Sequence, residues 1–243
     1  MAFRPCILVP TYDNPRTIRG VVERARRSVP DVLVVDDGSG PEARAEIEAL
    51  EREGLARVRR RDANGGKGAA VKTGFLFARE LGYTHALQVD ADGQHDLEDA
   101  PRLLDQARER PEALVLGAPR FDASAPLGRR VARLITVFWT WVEAGGAIGD
   151  PMCGFRVYPV EAAIAAGAVG DRMDFDPEIA VRLVWAGVPV VHVPTAVRYL
   201  PGGVSHFGLF RDNWLISRMH TRLVFRRALW FFLRRPLLGG GRP

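Results

Sequence analysis

The residues best suited to do chemistry stand together at Gln88-Val89-Asp90-Ala91-Asp92-Gly93-Gln94-His95-Asp96. Asp90 and Asp92, two apart after a short β-branched run, would concentrate negative charge where the carboxyl edge of a sheet takes its ligands. Such oxygen donors suit Mg²⁺ or Mn²⁺, which keep waters and substrate phosphates and therefore need one or two carboxylates. A twelve-residue Ca²⁺ loop is excluded. Counting from Asp90 puts His95 where the turn glycine belongs and Pro101 where the closing glutamate belongs. The plain alternative is a turn whose aspartates cap the next helix.

Two further segments have the composition of ligand loops. Val35-Asp36-Asp37-Gly38-Ser39-Gly40-Pro41-Glu42-Ala43 contains a G-x-G-x-x-A, but two carboxylates directly before the glycines would repel a pyrophosphate. Carboxylates there suit hydrogen bonds from a base or ribose. Asn64-Gly65-Gly66-Lys67-Gly68 opens a helix without Walker spacing, since Arg61 and Gly68 stand at its first-glycine and Ser/Thr positions. It still offers Lys67 and backbone N–H groups to an anion. Alone, each segment also reads as a capped strand-turn-helix or a glycine turn.

The elements that must hold these residues alternate. Cys6–Val9, Val32–Val35, Ala56–Arg59, Ala86–Val89 and Ala113–Leu116 read as strands. Between them, Thr17–Arg27, Pro41–Glu53 and Gly68–Leu81 bring apolar residues to one helical face. The rhythm then changes to a basic helix, Gly128–Val142, a glycine-rich loop, Gly145–Gly154, and a strand near Phe155–Tyr158. A helix at Pro177–Trp185, a strand at Val188–Val193 and a loop at Pro201–Gly208 follow. This pattern predicts an α/β fold, a mostly parallel Rossmann-like sheet with helices on both faces, completed by the second half of the chain.

The chain has 243 residues, 47% hydrophobic and 26% charged, which excludes disordered and collagen-like classes. Cys6 and Cys153 form neither a disulfide framework nor a metal pair, and read as buried hydrophobes. His95, His192, His206 and His220 have no metal-ligand spacing. The net charge of +5 is local. From Arg211 onward there are eight arginines against one acid, Asp212, so this segment carries +7 and the preceding residues −2. No zinc-finger, KH or RRM signature accompanies it, so nucleic acid is not expected as a partner. Its Trp214, Phe225, Trp230, Phe231 and Phe232 mixed with arginine suit an anionic membrane surface. Arg211, Arg218 and Arg222 share one helical stripe, with Ile216, Met219, Leu223 and Trp230 about a quarter-turn round, an interfacial layout. Hence two units are expected, 1–210 as the main domain and 211–243 as a basic, amphipathic C-terminal helix facing a membrane or partner. Cys6–Val9 is too short for a secretory signal, and no stretch reaches the roughly 18 uncharged residues of a membrane span. The expected location is therefore cytoplasmic, peripheral on the inner face of the cell membrane.

Set in order, these residues resemble family 2 glycosyltransferases of GT-A fold, in the branch of dolichyl-phosphate mannosyltransferase and bacterial polyprenyl-phosphate glycosyltransferases. The likeness runs through Val9-Pro10-Thr11-Tyr12-Asp13-Asn14, Val35 to Ser39, Asn64 to Gly68, Asp90 to His95 and Asp150-Pro151-Met152-Cys153-Gly154-Phe155-Arg156, covering about Cys6 to Phe207. It implies an inverting, metal-dependent transfer from a UDP- or GDP-sugar donor to a membrane lipid acceptor, foremost a polyprenyl phosphate. Pro10, Thr11, Tyr12, Asp13 and Asp37 would hold base and ribose, with Lys67, Asp90 and Ala91 close by. Asp90 and Asp92 would be the D-x-D element, with Gln94 near the metal.

Two departures stand out: Asp13-Asn14 where the family has Asn-Glu, and Leu200 to His206 without the Arg and Lys of R-x-x-G-x-S-K. Arg129 and Arg133, four apart and so on one helical face, are the expected acceptor cations, supported by Arg120 and Arg156. The apolar turn of Ile135, Val137, Phe138, Trp139 and Trp141 lines a lipid path or fills the core, the core being the commoner use. Beside Asp92, Asp150 is the favoured catalytic carboxylate over Asp176 and Glu178, should a hydroxyl acceptor need a base. The competing readings are transfer to a hydroxyl of a lipid-linked acceptor, a non-catalytic membrane-binding module, and a sugar nucleotidyltransferase, whose N-terminal glycine-rich phosphate loop is absent.

Overall fold

The computed structural model describes residues 2–119, 127–196 and 208–234, and within its helices the side chains outside 127–133, 209 and 230–234. In chain order the elements are β1 (Pro5–Thr11), α1 (Ile18–Ala25), β2 (Val32–Asp36), α2 (Pro41–Arg52), β3 (Arg57–Arg60), α3 (Lys67–Glu80), β4 (His85–Gln88) and α4 (Ala100–Glu109). They continue with β5 (Leu114–Pro119), α5 (Leu127–Ala144), β6 (Arg156–Pro159), α6 (Val160–Ala165), α7 (Phe175–Trp185), β7 (Val190–Thr195) and α8 (Leu209–Arg234).

The seven strands form one sheet in the order β3-β2-β1-β4-β6-β5-β7. β1 runs parallel to β2 and β4, β2 to β3, and β5 to β7, while β6 is antiparallel to both β4 and β5. Strand alternation divides the core. Ile7 and Val9 join α1, α2 and α4 on one face, and Cys6 and Leu8 join α3, α6 and α7 on the other. All seven strands fall on the predicted runs. The helices α4 and α6 were not placed from sequence. α4 is short and charge-rich, with only Ala100, Leu103, Leu104 and Ala107 turned inward, and α6 has 6 residues.

Two expectations are corrected. Ile216, Met219 and Leu223 of α8 are not an interfacial face but part of the core, at 6%, 1% and 0% exposure. The helix is fastened there by His220 to Glu143 (2.9 Å), Arg222 to Glu178 (2.6 Å) and Arg227 to the Val142 carbonyl (3.0 Å). The packed interior therefore runs across the expected 210/211 boundary.

On α5 the outcome is reversed. Thr136, Thr140 and Glu143 point inward, while Leu134, Ile135, Phe138, Trp139 and Trp141 are exposed instead of filling the core. Of the inward polar groups, Thr140 donates to the Thr136 carbonyl within the helix and Glu143 pairs through Oε1 with His220 of α8.

Candidate active site

The carboxyl ends of β1, β2 and β4 meet at one rim, as a mostly parallel sheet requires of a ligand site. The loops after these strands are tied to one another. Asp13, in a left-handed conformation (φ 51°), accepts the Gly40 N–H (2.7 Å) and donates its own N–H to Ser39 Oγ (3.0 Å). Asp37, buried, accepts the Gly65 and Gly66 N–H groups (3.1 and 2.7 Å) and pairs with Arg61. Thr17 donates to the Ala91 carbonyl (2.6 Å), joining the start of α1 to the loop after β4. Gly66 has φ 102°, and a Cβ there would lie 2.6 Å from the Asp171 carbonyl, so no side chain fits where this loop passes.

These loops enclose a cavity of about 340 Å³. Pro10, Thr11, Tyr12 and Asn14 line it from β1, Asp37, Asn64, Gly66 and Lys67 from the next two loops, and Asp90, Ala91 and Asp92 from β4. Its remaining wall comes from Ala70 of α3, from Met152, from Arg172, Met173 and Asp176 at the start of α7, and from Gly208, Arg211 and Asp212 at the start of α8.

Lys67 is the electrostatic centre. Its Nζ lies 2.8 Å from Asp90 Oδ1 and 2.9 Å from Asp176 Oδ2. Burial pulls this ammonium down, but the Asp176 and Asp90 carboxylates outweigh it and hold the lysine above its ordinary range. Burial likewise pushes Asp90 up, and Lys67 and His95 more than reverse it, so Asp90 is held below the usual carboxylate range. Asp92 behaves oppositely: burial and the Asp90 charge push it up, against a partial offset led by the Gln94 N–H at 3.0 Å. His95 stacks on Phe155, accepts the Asp90 N–H on Nδ1 (3.2 Å), and has its pKa lowered by burial. Gly154 backs the pair, since a Cβ there would lie 2.6 Å from Lys67 Nζ and 2.7 Å from Asp90 Oδ2.

The predicted residues therefore separate. Pro10, Thr11, Tyr12, Asp37, Lys67, Asp90, Ala91 and Asp92 share the cavity. Asp13 braces two loops and is not among the lining residues, whereas its neighbour Asn14 is. Gln94 contributes its backbone N–H to Asp92, and its side chain is not part of the wall. Asp150 is buried, accepts the Met152 N–H (3.0 Å) and does not line the cavity.

Arg156, expected on the acceptor side, is fully buried and donates to the Asp176 carbonyl (2.7 Å) and to the Cys153 and Pro151 carbonyls. In the antiparallel register Arg156 stands opposite Gln88 of β4, and its guanidinium fixes the start of α7 against the 150–153 turn. Arg120 and the side chains of Arg129 and Arg133 lie outside the described residues, as does the Leu200 to His206 segment. Sequence reading passed over Asp176 in favour of Asp150 and left Arg172, Met173, Arg211 and Asp212 unassigned to the cavity. The available signal was the lone acid, Asp212, at the head of a basic segment.

Among the described residues no group of three or more His, Cys, Asp or Glu side chains is arranged to hold a metal ion. Asp90 and Asp92 nonetheless fit a hard divalent cation that draws its other ligands from water and diphosphate. They are paired oxygen donors lining one cavity, and after burial the neighbouring Asp90 charge is the next cause that raises Asp92.

Comparison with known proteins gives the family and the fold. The undecaprenyl-phosphate mannosyltransferase of Micrococcus luteus is 30% identical over 202 residues, 79% of this chain and 82% of that protein. The polyprenol monophosphomannose synthase of Mycolicibacterium smegmatis is 31% identical over 213 residues, 83% of this chain and 80% of that protein. Among solved structures, glucosyl-3-phosphoglycerate synthase from Mycobacterium tuberculosis, in complex with Mn²⁺, uridine diphosphate and phosphoglyceric acid, superimposes with a TM-score of 0.71 at 16% identity. That match covers 93% of this chain and 78% of that one, and it shows the shared GT-A-like fold. The description "Glycosyl transferase family 2" matches residues 6–163, from β1 into α6. Since that stretch is more than half of the sequence and contains Lys67, Asp90 and Asp92, the chain belongs to glycosyl transferase family 2 and is a glycosyltransferase.

Proposed function

We propose that this chain transfers a sugar, with inversion, from a UDP- or GDP-sugar to a lipid phosphate, foremost a polyprenyl phosphate, at the cytoplasmic face of the cell membrane. The observation that carries the reading is the cavity itself: Lys67, Asp90, Asp92 and Asp176 share it with the first turn of α8, whose outer face carries exposed Phe210, Trp214 and Phe225. The names of the M. luteus and M. smegmatis relatives, an undecaprenyl-phosphate mannosyltransferase and a polyprenol monophosphomannose synthase, support the same substrate class. The Mn²⁺ and uridine diphosphate held by the M. tuberculosis enzyme support the donor and cation.

In this reading Pro10, Thr11, Tyr12 and Asn14 receive the base and ribose, and Asp37 keeps the 64–66 loop in place beneath them. Mg²⁺ or Mn²⁺ at Asp90 and Asp92 would neutralise the diphosphate as the sugar bond breaks. Lys67 keeps Asp90 ionised and orients it. The acceptor needs no base, because a phosphate monoester with a second pKa near about 6 is largely ionised at neutral pH. The carboxylates favour this over a hydroxyl acceptor. Asp176 is committed to Lys67, Glu178 to Arg182 and Arg222, and Asp150 does not line the cavity. Arg129 and Arg133 on α5, with Arg120, are assigned to the acceptor phosphate. The segment 211–243 would meet the membrane through Trp214, Phe225 and the exposed arginines of α8, while Ile216, Met219 and Leu223 stay in the core; among the described residues no helix is long and apolar enough to cross a membrane.

The test is a panel of labelled UDP- and GDP-sugars incubated with the chain, Mn²⁺ and polyprenyl phosphate in vesicles. Label in the organic phase with release of nucleoside diphosphate is expected. Release of pyrophosphate, or label reaching only hydroxyl lipids, would refute the reading.

A further inference from the structure

We infer that Arg211 is the residue on α8 that receives the phosphate of the lipid acceptor; this rests on the transfer to a lipid phosphate proposed above. Three cations line the cavity among the described residues. Lys67 is saturated by Asp90 and Asp176, and Arg172 donates to Asn64 Oδ1 (3.4 Å). Arg211 is exposed, and no described residue gives it a hydrogen bond or an ion pair. Among the described residues neither guanidinium pairs with a carboxylate; Arg172 is part-buried and keeps one long bond to a neutral amide, so Arg211 is the one more open to an arriving anion. No other Lys or Arg lies between Tyr199 and Asn213.

The position of Arg211 is fixed by the turn that carries it. Gly208 donates its N–H to Asp212 Oδ2 (2.6 Å), and Asp212 donates its own to the Gly208 carbonyl (2.8 Å), which closes the first turn of α8. The Asp212 carboxylate is thereby spent on the helix start and buried. On either side of Arg211 stand Phe210 and Trp214, 89% and 61% exposed and four apart on one helical face.

This setting separates the two phosphates in the reaction. The donor diphosphate is water-soluble and belongs with Asp90 and Asp92. A cation flanked by exposed aromatic rings suits instead a phosphate whose other end is an isoprenoid in a membrane, with guanidinium at the headgroup and rings at the acyl boundary. Arg211 thus reads the acceptor where the cavity opens onto the lipid side.

The experiment uses the full chain with two acceptors, a polyprenyl phosphate in vesicles and a short, water-soluble isoprenyl phosphate, each varied against a fixed donor and the reverse. Arg211→Ala is expected to raise the KM for both acceptors roughly 10- to 100-fold, the loss of a charge-assisted contact. The donor KM and the slow hydrolysis of donor by water should stay in place, and Arg211→Lys should recover part of the loss. Arg44→Ala, an equal charge removed from α2, should change none of these constants.

A raised donor KM with unchanged acceptor KM would assign Arg211 to the diphosphate and overturn the inference. A rise confined to vesicles would make it a membrane-surface charge, which overturns it equally. If the unaltered chain uses neither acceptor yet transfers to a hydroxyl lipid, the reading of the acceptor fails first, and the inference with it.

Discussion

The rim formed by β1, β2 and β4 and the flank formed by α5 and α8 use polar and apolar groups in opposite ways. At the rim, carboxylates are half-buried or buried and each is tied by a stated partner: Asp36 to Arg60 and the Ser39 N–H, Asp37 to Arg61 and two glycine N–H groups, Asp90 to Lys67. On the flank, threonines and Glu143 go inward, and Phe138, Trp141, Trp214 and Phe225 go outward. The rim is electrostatically preset before any ligand arrives, so binding there needs little rearrangement. The flank leaves apolar area in water, at about 25 cal/mol for each Å² that a partner surface would cover. In the proposed function the first side holds the charged, soluble donor and the second meets a lipid.

That contrast predicts different consequences for removing a side chain. The largest is at Asp92. Asp92→Asn should lower turnover by roughly 10³-fold or more, as loss of transition-state charge stabilisation does. Its thermal midpoint should not fall, because burial and the Asp90 charge already disfavour the ionised form. A variant that lost stability in step with activity would show Asp92 to be structural.

Lys67→Met comes next and should cost both properties. It strands Asp90 and Asp176 without their cation, worth about 3–5 kcal/mol in denaturant unfolding, and should also remove activity. Unchanged stability would mean that the three groups are far better solvated than their burial indicates.

The smallest effects lie within α8. Leu223→Ala, at 0% exposure, should cost about 2–5 kcal/mol of stability. Trp214→Ser combined with Phe225→Ser, at 61% and 71% exposure, should change stability by less than about 0.5 kcal/mol while weakening flotation with anionic vesicles. Equal stability losses from the two faces would erase the distinction between them.

The strands were legible because buried β-branched runs have few other uses, and the carboxylates of β4 because acids at a strand end ask for a partner. Direction was not legible. Nothing in Arg156-Val157-Tyr158-Pro159 says that β6 runs antiparallel between β4 and β5, and that reversal is what sets Arg156 opposite Gln88 at the carboxyl end of β4. Amphipathy also misled. α5 has a clear apolar stripe, but periodicity gives the phase of a stripe and not which side faces the core; buried pairing of Glu143 with His220, from a helix far along the chain, decides it. The same long-range closure brings Asp176 and Arg211 to the cavity. Local motifs found the side of the site made by consecutive loops, and missed the side assembled by tertiary packing.

The most direct test of the central claim is to follow a labelled sugar from its nucleotide into polyprenyl phosphate, with Mn²⁺ and then with the cation chelated, in the intact chain and in Asp92→Asn. The account predicts label in the lipid phase matched by nucleoside diphosphate, lost on chelation and absent in Asp92→Asn. Undiminished lipid labelling after chelation and in Asp92→Asn would contradict it.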